Sequence, residues 1–256
     1  GKRQAEDPSK RGASANGPAE NSTLKELELC NRTDRDSVES RILACTALAE
    51  LRVDNPHSLA KVYNNRGAAR AMKGDYEGAI QDYDQSIKFD PAYARAFNNR
   101  GIAYQKKGAD DLALKDFDTA IMISPDYANA LANRGQTYEK KRDYDRALND
   151  FNEAIRLQPA LGDLWNERCW IRAIIGAHQE ALADCNEAIR LGPAGAAKYD
   201  SRGFVYLKSG RWELAIADFN AALNLNSRLA SSLYGRGFAK RKAGDLSGGD
   251  ADIAAA

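Results

Sequence analysis

The chain has 256 residues, of which 37 are Lys or Arg and 36 are Asp or Glu, for a formal net charge of +1. That balance gives no whole-molecule attraction for a phosphate backbone or an anionic bilayer, so nucleic acid is not an expected partner. No apolar run approaches the roughly 20 residues of a membrane helix, so direct membrane insertion is not expected. The N-terminus lacks the apolar stretch of a signal peptide, and a start at Gly1 leaves open a removed leader or a tag remnant.

Residues 1–22 mix Lys2, Arg3, Lys10 and Arg11 with Pro8, Pro18, Gly12 and Gly17 and carry almost no apolar side chains. Burial there cannot offset the entropy of ordering, and a disordered spacer is expected. Residues 23–59 predict a degenerate capping hairpin. Its first helix would be short, Leu24 to Cys30. Its second would run from Ser37 to Asn55, with Val38, Ile42, Ala44, Leu48 and Leu51 facing one way before Pro56.

From residue 60 a pattern returns every 34 residues. Asn64-Asn65-Arg66-Gly67 recurs at Asn98 to Gly101, and as Ala132-Asn133-Arg134-Gly135. A large apolar residue precedes the Arg by three at Tyr63, Phe97, Leu131, Trp165, Tyr199 and Leu233. Alanine follows it by thirteen at Ala79, Ala113, Ala147, Ala181 and Ala215. Four later comes a ring or a Cys: Tyr83, Phe117, Phe151, Cys185 and Phe219. Pro91, Pro125, Pro159 and Pro193 close the first four copies. The units run over residues 60–93, 94–127, 128–161, 162–195, 196–229 and 230–256.

Within the second unit, Phe97, Gly101 and Tyr104 share one helical face, and Ala113, Leu114, Phe117, Ala120 and Ile121 share another. Two amphipathic helices are expected, ended by Gly108 and Pro125, with small residues setting close approach and rings filling the space between hairpins. The last unit keeps Leu233, Arg236 and Gly237 but has Gly249 where Ala is expected, followed by an Ala-rich tail. A frayed or truncated final helix is expected there.

Six helical hairpins with these residues at this period resemble the tetratricopeptide repeat family, here from about Ala60 to the C-terminus. The resemblance implies an all-α, right-handed superhelical solenoid of helix-turn-helix repeats, whose concave wall is lined by the first helices. It further implies that residues two, three and six before the repeat Gly, and one after it, face the groove. Two before the Gly stand Asn65, Asn99 and Asn133, then Glu167, Ser201 and Gly235. Similar Asn ladders in the family grip ligand backbone, since an amide both donates and accepts. Bonds between neighbouring helices, or to water, are the competing reading of these Asn. Asn64 and Asn98 lie beside the ladder, with Lys61 and Arg95 a turn before it. One after the Gly position the series ends in Trp170, Phe204 and Phe238, which either anchor apolar side chains or bury themselves in the array. No Lys or Arg occupies the ladder position, so the carboxylate clamp of the family's chaperone-binding members is not matched.

The recurrent Arg66, Arg100, Arg134, Arg168, Arg202 and Arg236 are each followed by an acidic residue: Asp82, Asp116, Asp150, Asp184 and Asp218 for the first five. An internal ion pair per unit, rather than a phosphate-binding stripe, is expected. Cys169 and Cys185 flank the turn near Gly176, so an antiparallel hairpin sets them face to face as a plausible disulfide. Cys30 and Cys45 span the first hairpin with poorer symmetry. Four Cys in two such pairs favour an oxidising compartment, periplasmic or secreted, over reduced core thiols in the cytoplasm. There is no Cys-x-x-Cys, only His57 and His178 as histidines, and no nucleophile elbow or phosphate loop. No metal, cofactor or catalytic residue is expected. The resulting expectation is a bacterial, exported, non-catalytic scaffold that binds a protein or extended peptide. The alternative is an accessory subunit that docks or presents substrate to an enzyme assembly in the cell envelope.

Overall fold

The computed structural model describes residues 18–32, 34, 37–51, 55–192 and 195–256, with side chains from residue 23 onward. The described residues form helices and no strands: α1 (Pro18–Asn31), α2 (Val38–Glu50), α3 (Pro56–Met72), α4 (Tyr76–Phe89), α5 (Ala94–Lys106), α6 (Asp110–Ile123) and α7 (Ala128–Lys140). The remainder are α8 (Tyr144–Leu157), α9 (Gly162–Ile174), α10 (His178–Leu191), α11 (Ala196–Lys208), α12 (Trp212–Leu225), α13 (Ala230–Lys242) and α14 (Leu246–Ala255). The fold is an all-α repeat solenoid. The chain divides into two compact units, one up to Ala103 and one from Tyr104, with the division inside α5.

In the first unit α1 packs on α2, α2 on α3 and α3 on α4. In the second, each helix from α6 to α14 packs on the next, and α7, α9, α11 and α13 also touch one another in turn. Within each unit the odd-numbered helices therefore make one layer and the even-numbered helices the other.

Local sequence sets each hairpin. Asn55 caps α3 by accepting from the Ser58 N–H, with Pro56 opening the helix. Asp75, Asp143 and Asp245 cap α4, α8 and α14 in the same way. From α3–α4 onward, the turn inside each hairpin passes through one left-handed residue, at Gly74, Gly108, Gly176, Gly210 and Gly244 with φ from 72 to 101°. At the equivalent place in the third copy stands Arg142, with φ 60°.

The seam between paired helices is a small residue against a ring. A Cβ added to Gly67 would lie 2.8 Å from the Tyr83 ring, and one at Gly203 would lie 2.8 Å from the Phe219 ring. The rings of Tyr83, Phe117, Phe151 and Phe219 are 0 to 2% exposed. In the fourth copy Cys169 takes the glycine's place and Cys185 the ring's. Their Cα atoms are 5.4 Å apart and their sulfurs lie at bonding distance, as do those of Cys30 and Cys45 with Cα atoms 5.0 Å apart.

Three expectations are refined. α1 begins at Pro18, inside the segment read as spacer, because proline's fixed φ suits a first helical position; residues 1–17 lie outside the described residues. α2 ends at Glu50 rather than Asn55, and residues 52–54 are not among those described. The final helix is not frayed: α14 is regular to Ala255. Gly249 does not weaken it, because α13 and α14 cross so closely there that a Cβ would lie 2.7 Å from the Gly237 carbonyl oxygen.

Candidate protein-interaction face

The repeat arginines are not offered to a ligand. Arg134 forks its Nε and Nη2 onto both carboxylate oxygens of Asp150, at 2.9 and 2.7 Å, and reaches Asp118 with Nη1 at 2.7 Å. Arg168, Arg202 and Arg236 repeat this geometry with Asp184, Asp218 and Asp252. Their third nitrogen reaches Asn152, Asn186 and Asn220. Arg66 forks onto Asp82 and reaches Thr46, and Arg100 reaches Asp84 at 2.6 Å. Arg66, Arg134, Arg168, Arg202 and Arg236 thus each tie the acid of their own hairpin to an acceptor on the hairpin before. The hydrogen bonding that Arg134 donates to Asp150 is the main reason that it is held above the usual guanidinium value.

The asparagines of the first unit form a continuous relay. Asn65 Nδ2 donates to Asn31 Oδ1 at 2.9 Å and Asn99 Nδ2 donates to Asn64 Oδ1 at 2.9 Å. Longer bonds run from Asn64 Nδ2 to Asn65 Oδ1 at 3.4 Å and from Asn98 Nδ2 to Asn99 Oδ1 at 3.3 Å. Asn64 and Asn98 are 2% and 3% exposed. Their expected place among ligand-facing residues is therefore corrected. They are buried amides, tolerated because they bond laterally, and they orient the ladder. Asn65 and Asn99 remain half-buried, while Lys61 and Arg95, a turn before them, are exposed. Asn31 stands 34 residues before Asn65, a member of the relay that the sequence reading passed over.

In the second unit Asn133 is half-buried, and its backbone carbonyl accepts from Gln105 Nε2 at 3.1 Å. The ladder position then becomes acidic. Glu167 on α9 is pushed from 4.5 up to about 7, chiefly by burial and next by the Glu139 carboxylate of α7, with Asp163 adding to it. Gln136 hydrogen-bonds Glu167, and the Trp170 indole N–H donates to Glu139, which burial also raises. On α11, Asp200 accepts from Ser231 and Ser232 and is likewise raised by burial. Trp170 meets Phe204 edge-on at 5.5 Å, and Phe204 meets Phe219 edge-on at 5.4 Å. Trp170 and Phe204 are consequently half-buried in the array rather than standing free as anchors. Phe238, at 38% exposed, is open.

Residues 67–108 match a "TPR repeat" sequence profile, and residues 94–127 and 128–161 each match the "Tetratricopeptide repeat" profile. Residues 67–161 thus carry tetratricopeptide repeats. No curated protein matches its sequence. Among solved structures it is similar to a tetratricopeptide repeat protein from Parabacteroides merdae, with a TM-score of 0.70, 20% identity and 91% of each chain covered. It is also similar to pilF of Pseudomonas aeruginosa (TM-score 0.69, 16% identity, 77% of this chain and 90% of that one). A third likeness is to YrrB, a tetratricopeptide repeat protein with an unusual peptide-binding site (TM-score 0.60, 19% identity, 75% of this chain and 97% of that one). At these identities the likeness is one of fold. Among the described residues no helix is long and apolar enough to cross a membrane, and no cluster of His, Cys, Asp and Glu could hold a metal ion.

Proposed function

We propose that the chain is a non-catalytic interaction scaffold that holds a protein or extended peptide against the layer of odd-numbered helices. One observation carries this reading: the amides at the ladder position are fixed by internal bonds without being used up. A carboxamide has two N–H groups and two lone pairs on its oxygen. Asn65 and Asn99 each donate once and accept once within the relay. Each keeps one donor and one acceptor for the N–H and C=O of a peptide backbone, already oriented, so that binding costs little side-chain entropy. Asn133 holds the same position on α7. Lys61 and Arg95, exposed one turn away, add a preference for acidic segments. The peptide-binding site of YrrB, on a similar fold, is in keeping with this.

The test uses peptides selected from a random display library against the wild-type protein. Replacing Asn65, Asn99 and Asn133 together by Ala should weaken their binding at least about tenfold by fluorescence anisotropy, roughly the worth of one charge-free hydrogen bond or more. The helical circular dichroism should be retained. Unchanged affinity in a folded triple variant would dismiss the ladder.

The two cysteine pairs at bonding distance support the periplasm or the exterior as the place of work. Denatured but unreduced protein from its native source should then titrate for almost no free thiols. Four free thiols would contradict that location.

A further inference from the structure

We propose that Met72 is a site of oxidative modification at which formation of methionine sulfoxide strengthens the fold, because the added oxygen meets the buried guanidinium of Arg41. Arg41 stands near the start of α2 and Met72 is the last residue of α3, the helix on which α2 packs. Arg41 Nη1 donates to Met72 Sδ at 3.2 Å. The arginine is 3% exposed, and its Nε is buried without an acceptor. Among the described residues no carboxylate takes a hydrogen bond from it. Asp34 and Tyr83 act on Arg41 only through their charge, and burial holds its guanidinium below the usual value in spite of them. The repeat arginines differ in this respect, since Arg66, Arg134, Arg168, Arg202 and Arg236 each fork onto an aspartate. A thioether sulfur is a weak acceptor, so Arg41 has given up water for a poor partner.

Met72 is 43% exposed, so an oxidant in water reaches its sulfur while the guanidinium behind it stays covered. The oxidant is a peroxide. One sulfur lone pair faces Nη1, and the other attacks an oxygen of the peroxide. The O–O bond breaks, sulfur loses two electrons and the peroxide gains them. The leaving oxygen takes the proton of the transferred oxygen and departs as water, or as an alcohol from an organic hydroperoxide. The product oxygen carries partial negative charge, and rotation about the flexible end of the side chain brings it over the guanidinium. A weak N–H···S contact is thereby replaced by a charge-assisted N–H···O bond. Oxidation of a packed methionine ordinarily disrupts its surroundings, because a polar oxygen enters an apolar site. Here the site already holds unsatisfied donors, and the sign is reversed. The strengthened contact lies between α2 and α3, the junction that Arg66 also spans through Thr46 and that Lys73 and Glu39 cross at 2.6 Å. The chain's other methionine, Met122 on α6, is 76% exposed and supplies an internal control.

The test uses the full chain carrying Met122→Leu, treated with hydrogen peroxide until mass spectrometry places a single added oxygen on Met72. Urea denaturation followed by circular dichroism should give a higher midpoint after treatment, with the unfolding constant in water lowered about tenfold, the step from a weak to a charge-assisted hydrogen bond. Reduction by methionine sulfoxide reductases after unfolding, followed by refolding, should return the midpoint to its first value. In the complementary variant Met72→Leu, oxidation of Met122 should leave the midpoint where it was. With Arg41→Leu added to Met122→Leu, oxidation of Met72 should lower the midpoint, since the sulfoxide then faces an apolar side chain. A midpoint that falls or stays the same when Met72 alone is oxidised would overturn the proposal. So would an equal rise in Met72→Leu, or a rise that survives in a folded Arg41→Leu variant. Because the Met122→Leu measurement leaves Arg41 in place, it decides the matter even where Arg41→Leu does not fold.

Discussion

Glu167 occupies a position held by Asn in three other copies, and its surroundings make it a pH-dependent liability. The groups acting on it are Glu139 and Gln136 from α7 and, on its own helix, Asp163; Glu139 in turn accepts from Trp170, and Asp163 is itself 3.2 Å from Lys198. In the folded chain its carboxyl titrates at about 7, against 4.5 when unperturbed. Between those values the folded state holds a proton that the unfolded chain has released. Its contribution to stability is therefore full below pH 4.5 and is lost as pH rises towards 7. Glu167→Gln should remove this loss, making the variant more stable than wild type by about 2 kcal/mol at pH 8 and nearly equal to it at pH 4.5, by urea denaturation at each pH. A constant difference across that range would show that Glu167 does not titrate as described. The Glu139 partner was not legible in the sequence, because it comes from a helix 28 residues away rather than from the 34-residue register. Nor was the burial of Asn64 and Asn98, since a polar residue betrays its burial only through neighbours that satisfy it. Asn31, by contrast, stood in register and was readable.

At the scale of the hairpin the period of 34 made nearly everything legible, since a helix pair, its turn and its seam are local events. The exceptions are places where one residue substitutes for another with a different physical means. Arg142 holds the left-handed turn position that glycine fills in five hairpins. A side chain there costs roughly 1 kcal/mol of backbone strain, so Arg142→Gly should stabilise the chain by about 0.5 kcal/mol after the added freedom of the unfolded state is counted. A drop in the unfolding midpoint would contradict this. In the hairpin α9–α10 the seam of glycine against a ring becomes Cys169 against Cys185, both 0% exposed. Two small side chains cannot fill the volume of a ring, and the covalent link holds the helices together instead. Replacing both by Ala should cost roughly 3 kcal/mol, as expected for a crosslink closing a loop of about 15 residues. Restoring the pattern of the other copies, Cys169→Gly with Cys185→Phe, should recover part of that. Equal stability of the Ala variant and the wild type under oxidising conditions would exclude a structural role for the link.

Within each unit, packing runs only between a helix and the next one or two along the chain, so each unit's stability is close to a sum of hairpins and the junctions between them. The junction is where the arginines act. Arg202 holds Asp218 in its own hairpin with bonds of 2.7 and 2.8 Å and Asn186 in the hairpin before with one of 2.9 Å. Asp218 is 6% exposed. Without Arg202 its carboxylate would be buried with its principal partner gone, a loss of roughly 3 kcal/mol. Arg202→Lys keeps the charge but not the planar fork, and should recover less than half. In an array coupled only to its neighbours this loss stays local. Hydrogen exchange of Arg202→Ala should accelerate in α10 to α13, on both sides of the broken tie, while protection in α2 to α4 is unchanged. Uniform acceleration throughout would mean that the chain unfolds as a single cooperative body, and the junction would then be one contact among many rather than the boundary between folding units.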